Sequence, residues 1–258
     1  MQKANTLLEI PIPTDSKNSI REKIIKNILE DKKFFHIVSV NPEILVLAQA
    51  NVAFKKVVAE AQMRIIDGVG VVVAAKLCSI SAGQRYSGVD LMTDMLKEAH
   101  NRRLRVLLIG GNDKIAEKVV ECQKVAFPGI EISGTSGIAD IARPTEEEER
   151  QIAAIVAAAK PHIVFVAYGS PAQELWIDRH SKLFEGMVVA GVGGAFDFLS
   201  GTITRAPKWL RAIGFEWLFR LIRQPWRVIR QLRLVKFMWL VATMSFRTER
   251  KRSEKSQS

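Results

Sequence analysis

The residues that could do chemistry fall at predicted strand ends and in the loops beside them. Asp67 closes the short apolar run Arg64-Ile65-Ile66 and is followed at once by Gly68-Val69-Gly70 and an apolar stretch to Ala75. A strand, one acid, two glycines and a helix place that carboxylate on the carboxyl edge of a sheet, where open α/β proteins hold their ligands. The glycines allow a tight turn and a close approach of ligand to backbone. Asp67 could equally cap the helix that follows.

Ser39 and Asn41 lie at the end of another apolar run and come next to Asp67 if the two strands pair. Arg85 sits in a glycine-flanked loop, Gln173 and Glu174 follow Gly169-Ser170-Pro171, and Asp197 follows Gly193-Gly194. Gly110-Gly111, between a strand and a helix, would suit a phosphate or a ribose, because backbone N–H groups at a helix start face such a ligand. Each of these residues alone could be a cap, a turn or a surface side chain. Their convergence on one edge is the signal.

Several chemistries find no support. No G-x-G-x-x-G follows a strand, which argues against a nicotinamide or flavin site. No D-x-D or paired-carboxylate pattern suits a divalent cation, so neither metal nor cofactor is expected. The four histidines are scattered, and Cys78 and Cys122 match no metal or redox spacing, reading as reduced thiols.

The elements that must position the site alternate. A helical stripe from Ser19 to Leu29 precedes a strand over Phe34–Val40, with Asn41 and Pro42 opening the next helix. Segments over Glu43–Ala50 and Phe54–Ala61 lead to Asp67, and a helix over Asp90–His100 follows the Arg85 loop. Strands are expected over Arg105–Ile109, Ile130–Ile132, His162–Ala167 and Met187–Val192, with helices over Asp113–Phe127 and Thr145–Ala159 between them. This alternation predicts a Rossmann-like α/β fold, a largely parallel sheet with helices on both faces.

Charge divides the 258 residues in two. Residues 205–258 hold 14 Lys or Arg against three acids, which accounts for the whole net charge of +11 and leaves 1–204 neutral. We therefore expect an α/β catalytic domain over 1–204 and a basic, amphipathic, membrane-associating tail over 205–258. Phe215, Leu218, Ile222, Trp226 and Ile229 make an apolar stripe, and Arg220, Arg223, Arg227 and Arg230 a basic one beside it. Pro225 is expected to break or kink the helix. The apolar run Phe237–Phe246 is too short to span a bilayer, so the tail reads as a helix pair lying in a membrane interface. Clustered arginines also suit bidentate phosphate contacts. Alternatives are a helix packed on the body with a solvated basic face, or a nucleic-acid contact, against which the apolar stripe argues. The first twenty residues lack an apolar core after a basic region, so no signal peptide is expected.

With these motifs in place, the chain resembles the WecG/TagA/CpsF glycosyltransferase family from about Phe35 to Arg230. The likeness is carried by Ser39-Val40-Asn41-Pro42-Glu43, Asp67-Gly68-Val69-Gly70, Arg85-Tyr86-Ser87-Gly88-Val89-Asp90-Leu91 and Leu108-Ile109-Gly110-Gly111. It continues through Gly169-Ser170-Pro171-Ala172-Gln173-Glu174, Gly191-Val192-Gly193-Gly194-Ala195-Phe196-Asp197-Phe198, Arg205-Ala206-Pro207 and Glu216-Trp217-Leu218-Phe219-Arg220.

The resemblance implies an inverting, metal-independent enzyme, peripheral on the cytoplasmic face of the cell membrane. Such an enzyme moves a sugar from a UDP donor to a polyprenyl-diphosphate-linked saccharide. It implies Asp67 as catalytic base with Ser39 and Asn41 beside the transferred sugar, and Arg85, Gly110, Gly111 and Gln173 as donor contacts, with Glu174 and Asp197 in the same site. Tail arginines, Arg220, Arg223 or Arg227, would hold the lipid diphosphate. Ser39 stands where the family usually has Thr, and Ala172 where it has Lys, so N-acetylmannosamine, its uronate and glucose all stay open as the donor sugar. A homo-oligomer is left open too. The rival from another class is a non-catalytic, membrane-associated nucleotide-binding module.

Overall fold

The computed structural model describes residues 5–111, 114–212, 214–224 and 232–245. A short antiparallel pair, β1 (Thr6–Leu7) and β2 (Ile10–Pro11), precedes α1 (Lys17–Lys26), which runs on into a π-helical turn over Asn27–Asp31. Then follow β3 (Phe35–Val40), α2 (Pro42–Ala50), α3 (Val52–Glu60), β4 (Met63–Ile66), α4 (Val69–Leu77) and α5 (Gly88–Arg102). The second half runs β5 (Val106–Gly110), α6 (Ile115–Ala126), β6 (Ile132–Thr135), α7 (Glu146–Ala159), β7 (Ile163–Ala167), α8 (Ala172–Arg179) and β8 (Val188–Gly191). Three short helices, α9 (Ala195–Leu199), α10 (Lys208–Ala212) and α11 (Glu216–Arg223), lead to a last helix over 232–245.

Strands β3 to β8 form one parallel sheet in the order β4-β3-β8-β7-β5-β6. Its strands are near-continuous apolar runs because both faces are covered. Ile37, Ile65, Leu108 and Phe165 pack against α1, α5 and α6, while Val38, Val40 and Ile66 pack against α2, α3 and α4. From β3 the chain winds outward to β4, and every later strand lies on the other side. The order therefore reverses at β3, and a crevice opens there at the carboxyl edge.

Three differences from the sequence reading have simple causes. The β1–β2 pair was not expected, because two-residue strands carry no periodicity. Strand β6 starts later than expected, at Ile132. Val106 N–H takes the Glu131 carbonyl and the ladder pairs Val106 with Ile132, while Ile130 is tied back to the Phe127 carbonyl in the preceding turn.

The third concerns the tail. The 232–245 helix buries Phe237 and Val241 in the core shared with Leu7, Val40, Ile44 and Val71, and Arg233 is ion-paired to Glu43. Its opposite face leaves Leu232, Val235, Met238 and Trp239 exposed. So this helix of the tail is fastened to the body along one face. Among the described residues, no helix is long and apolar enough to cross a membrane. Pro225, Trp226, Arg227, Ile229, Arg230 and the basic run Arg250–Arg252 lie outside the described residues.

Candidate functional site

A cavity of about 990 Å³ opens at the carboxyl edge of the sheet, over the ends of β3, β4, β7 and β8. Ser39, Asn41, Asp67, Arg85, Gly111, Gln173, Glu174, Asp197 and Arg220 all line it. The parallel sheet explains the convergence. Every strand ends on the same edge, and the helices that follow begin there, turning positive N-termini toward the space between. The register is close: Ser39 lies opposite Ile65 and Val40 opposite Ile66, so the residues after each strand are neighbours.

Asp67 is half-buried in this crevice. It does not cap α4. Gly68, at φ +105°, turns the chain so sharply that it takes the cap position itself, with no side-chain bond. The Asp67 Oδ2 instead accepts from the Gly88 N–H, 3.3 Å away, at the first turn of α5. A β-carbon at Gly88 would sit 3.4 Å from the Ser39 Oγ and 3.8 Å from the Asp67 Oδ2, so hydroxyl and carboxylate share one small space. Removal from bulk water raises the Asp67 carboxyl above its ordinary value. The Gly88 bond and Arg85 oppose the rise, and the nearby charges of Glu216 and Asp90 add to it. A carboxylate so placed is a stronger base than a solvated one.

Asn41 does two things. Its Oδ1 accepts from the Ile44 N–H at 2.9 Å and caps α2, as its position before Pro42 foretold, and the residue also lines the cavity.

Gln173 and Glu174 are buried at the start of α8 and hold loops together. The Gln173 Oε1 accepts from the N–H groups of Gly169 and Gly193, at 3.1 and 3.3 Å, tying the β7 exit to the β8 exit. The Glu174 Oε1 accepts from the Ser170 hydroxyl at 2.8 Å and the Gln173 amide at 2.7 Å, while its Oε2 is buried without a hydrogen-bond partner. Burial raises the Glu174 carboxyl above its ordinary value of 4.5, against the hydrogen bonds from Gln173 and Ser170. Above that ordinary value the unfolded chain gives up the proton that the folded chain keeps. This contribution to stability is therefore fully present in acid and falls as pH rises toward the folded value. Glu174→Gln should melt with wild type near pH 4 and above it near pH 8, as followed by circular dichroism. A lower melting temperature for the variant at the higher pH would refute this account.

Two donor contacts expected from the sequence stand differently. Gly110 is the last residue of β5, and a β-carbon there would meet the Tyr168 ring at 2.9 Å, so its lack of a side chain serves packing. Gly111 does line the cavity, but its N–H already bonds the Ala167 carbonyl at 3.1 Å. Gly111 alone of the two faces the cavity, and its own N–H is spent on the fold.

The tail arginines also divide. The Arg220 Nη2 reaches the Asp197 Oδ2 at 3.1 Å and the Gly194 carbonyl at 3.3 Å, over the Phe198 ring. Arg223 is exposed over Phe219 and does not line the cavity, because α11 turns that side outward. Arg227 lies outside the described residues.

Sequence reasoning gave no role to Arg205, Ser87 or Glu216. The Arg205 guanidinium binds the Asp90 Oδ1 at 2.7 Å, the Glu216 Oε1 at 2.9 Å and the Ser87 Oγ at 3.2 Å. Arg85 donates to the Arg211 carbonyl at 2.7 Å and faces the Glu216 Oε2 at 3.4 Å. Glu216 thus joins tail to body at the cavity mouth. One signal could have found it, since it is the lone acid between residues 205 and 248.

The geometry assembles a pocket of mixed charge in which the half-buried Asp67 carboxylate and the Arg85 and Arg220 guanidinium groups line one space, a setting suited to a phosphorylated substrate. Comparison with known proteins places the chain in a family. The profile of the family described as "Glycosyl transferase WecG/TagA/CpsF family" matches residues 5–251. Similar proteins include the N-acetylglucosaminyldiphosphoundecaprenol N-acetyl-beta-D-mannosaminyltransferase of Bacillus spizizenii, 36% identical over 213 residues, 83% of this chain and 80% of that one. Proteins of the same name from Bacillus subtilis and Staphylococcus aureus strain MW2 are 32% and 29% identical, over 90% and 93% of this chain and 88% and 94% of theirs. The chain belongs to the WecG/TagA/CpsF family of glycosyltransferases.

Proposed function

We propose that this glycosyltransferase moves a sugar from a UDP donor to a polyprenyl-diphosphate-linked saccharide, with inversion and without a metal ion, on the inner face of the cell membrane. The observation that carries the reading is Asp67, half-buried beside Ser39 at the floor of the cavity, in a chain whose relatives are named for N-acetylmannosaminyl transfer to N-acetylglucosaminyl-diphosphoundecaprenol. N-acetylmannosamine is therefore the first donor sugar to test, ahead of its uronate and glucose.

In this mechanism the acceptor hydroxyl gives its proton to the Asp67 carboxylate as its oxygen bonds the anomeric carbon. The bond from that carbon to the β-phosphate oxygen breaks, and UDP leaves with the electron pair. A single carboxylate suffices for inversion, since no covalent intermediate forms. Charge developing on UDP is met by Arg85, helix N-termini and tail arginines, Arg220 foremost. Residues 205–258 serve as a membrane-associating tail whose net charge of +11 draws it to an anionic surface.

The test is a panel of UDP-sugars with a short polyprenyl-diphosphate acceptor, asking which donor is consumed and with what anomeric outcome. Consumption of none, or a retained anomer, would refute the reading. Activity is also expected to survive excess EDTA, because arginines face the place a diphosphate would take. Loss of activity on chelation, with rescue by Mg²⁺ or Mn²⁺, would show that the diphosphate site lies elsewhere.

A further inference from the structure

Arg85 and Arg220, which line the cavity, and Arg205 and Arg211 behind them are already engaged. Arg205 meets Asp90 and Glu216, Arg211 approaches Asp90 at 3.9 Å, Arg220 meets Asp197, and Arg85 meets Glu216. A nucleoside diphosphate brings at least two negative charges into this cavity. Desolvated charges of like sign cannot share one guanidinium cheaply, so a phosphate that takes one of these arginines displaces the carboxylate it holds.

The geometry shows which one. Glu216 holds two arginines unequally. Its Oε1 is 2.9 Å from the Arg205 Nε, in a well-formed charge-assisted bond, while its Oε2 is 3.4 Å from the Arg85 Nη2, at the limit of hydrogen bonding. Asp90 is bound more firmly, at 2.7 Å from Arg205 and with a further bond from the Ser87 hydroxyl. Glu216 can therefore release Arg85 and stay on Arg205, keeping α11 docked.

We infer that Glu216 is the exchangeable counter-ion of Arg85, a carboxylate from the tail that occupies the phosphate's place until a nucleoside diphosphate displaces it. The inference rests on the proposed reading of Arg85 as a donor contact. It gives the one acid between residues 205 and 248 a part in substrate binding: the pair keeps Arg85 charge-balanced until a phosphate arrives. It also makes phosphate-bearing ligands compete with a tail contact, whereas the uncharged base and ribose do not. The negative charge of Glu216 is felt at Asp67, where it adds to the rise of that carboxyl, so its carboxylate and the base share one local field.

The experiment is titration of the full-length protein with UDP and with uridine, read as the ratio of the two affinities. Glu216→Gln keeps a hydrogen bond to Arg205 but removes the competing charge. It should raise the ratio on the order of fivefold, with uridine affinity unchanged. A ratio equal to or below wild type overturns the inference. Should Glu216→Gln lose uridine binding as well, Glu216→Asp decides. That shorter acid draws the carboxylate back from a contact already as long as 3.4 Å to Arg85, so it too must raise the ratio, and no rise there overturns the inference. Arg85→Gln separates the premise from the exchange. It should lower the ratio by roughly tenfold or more. If it does so while neither Glu216 variant raises the ratio, exchange is wrong and Arg85 remains a diphosphate contact. If Arg85→Gln leaves the ratio unchanged, the reading of Arg85 falls and the exchange with it.

Discussion

Asp67→Asn should abolish sugar transfer while leaving UDP binding nearly intact. The amide keeps the shape of the side chain and its place beside Ser39, but it cannot take a proton. Loss of a general base costs on the order of 100- to 10,000-fold. The loss should appear in kcat with little change in donor KM, since the change removes an interaction made only in the transition state. Single-turnover assays with a soluble acceptor would measure the chemistry, and UDP titration the binding. Turnover near the wild-type rate would mean that Asp67 is not the base. The remaining acids are poorer candidates. Asp90 is tied to Arg205 and Ser87, whose hydrogen bonds outweigh the effect of burial and hold its carboxyl below the ordinary value. Asp197 is paired with Arg220.

Truncation after Thr204 should both silence the enzyme and weaken the fold. From the sequence, residues 1–204 read as an α/β domain by themselves, which such a deletion would leave. The structure alters that expectation. The deletion withdraws Phe237 and Val241 from the core and breaks the Arg205–Asp90 and Arg85–Glu216 pairs. Phe237→Ala alone, at a site 3% exposed, should cost about 3 kcal/mol or more. For a chain of this size that lowers the melting temperature by roughly 5–10 °C. The exposed roles of the tail can be probed without that damage. Changing Arg250, Lys251 and Arg252 to Ser should weaken binding to anionic vesicles, at roughly 1 kcal/mol per charge near the surface, and spare turnover on a soluble acceptor. Arg220→Ala should reduce turnover even on that acceptor, because its guanidinium lines the cavity. Equal loss in both sets, or none in either, would show that the tail has a single role.

Much of the fold was legible because a parallel sheet buried on both faces needs apolar strands, and these alternate visibly with helical stripes. The Asn41–Pro42 helix start, the Asp67 turn and the positions of Gln173, Glu174 and Asp197 at strand exits follow from local rules that a linear sequence states openly. So does the charge divide at residue 205, since charge is additive along the chain. Which of those polar residues meet, and what each one does, was decided elsewhere. That the Gly111 N–H is taken by the Ala167 carbonyl, 56 positions away, is one such pairing that no local rule states. The alternative that Asp67 caps its own helix failed because Gly88, 21 positions on, brings α5 against the carboxylate. Glu216 reads as one acid in a basic tail until folding lays it between Arg85 and Arg205. Local propensity acts over a few residues, so the sequence alone determined the strands, their exits and the chemistry available there. Hydrogen-bond partners and ion pairs depend on the approach of segments far apart in the chain, and only packing of the whole sheet with its helices settles which donor reaches which acceptor.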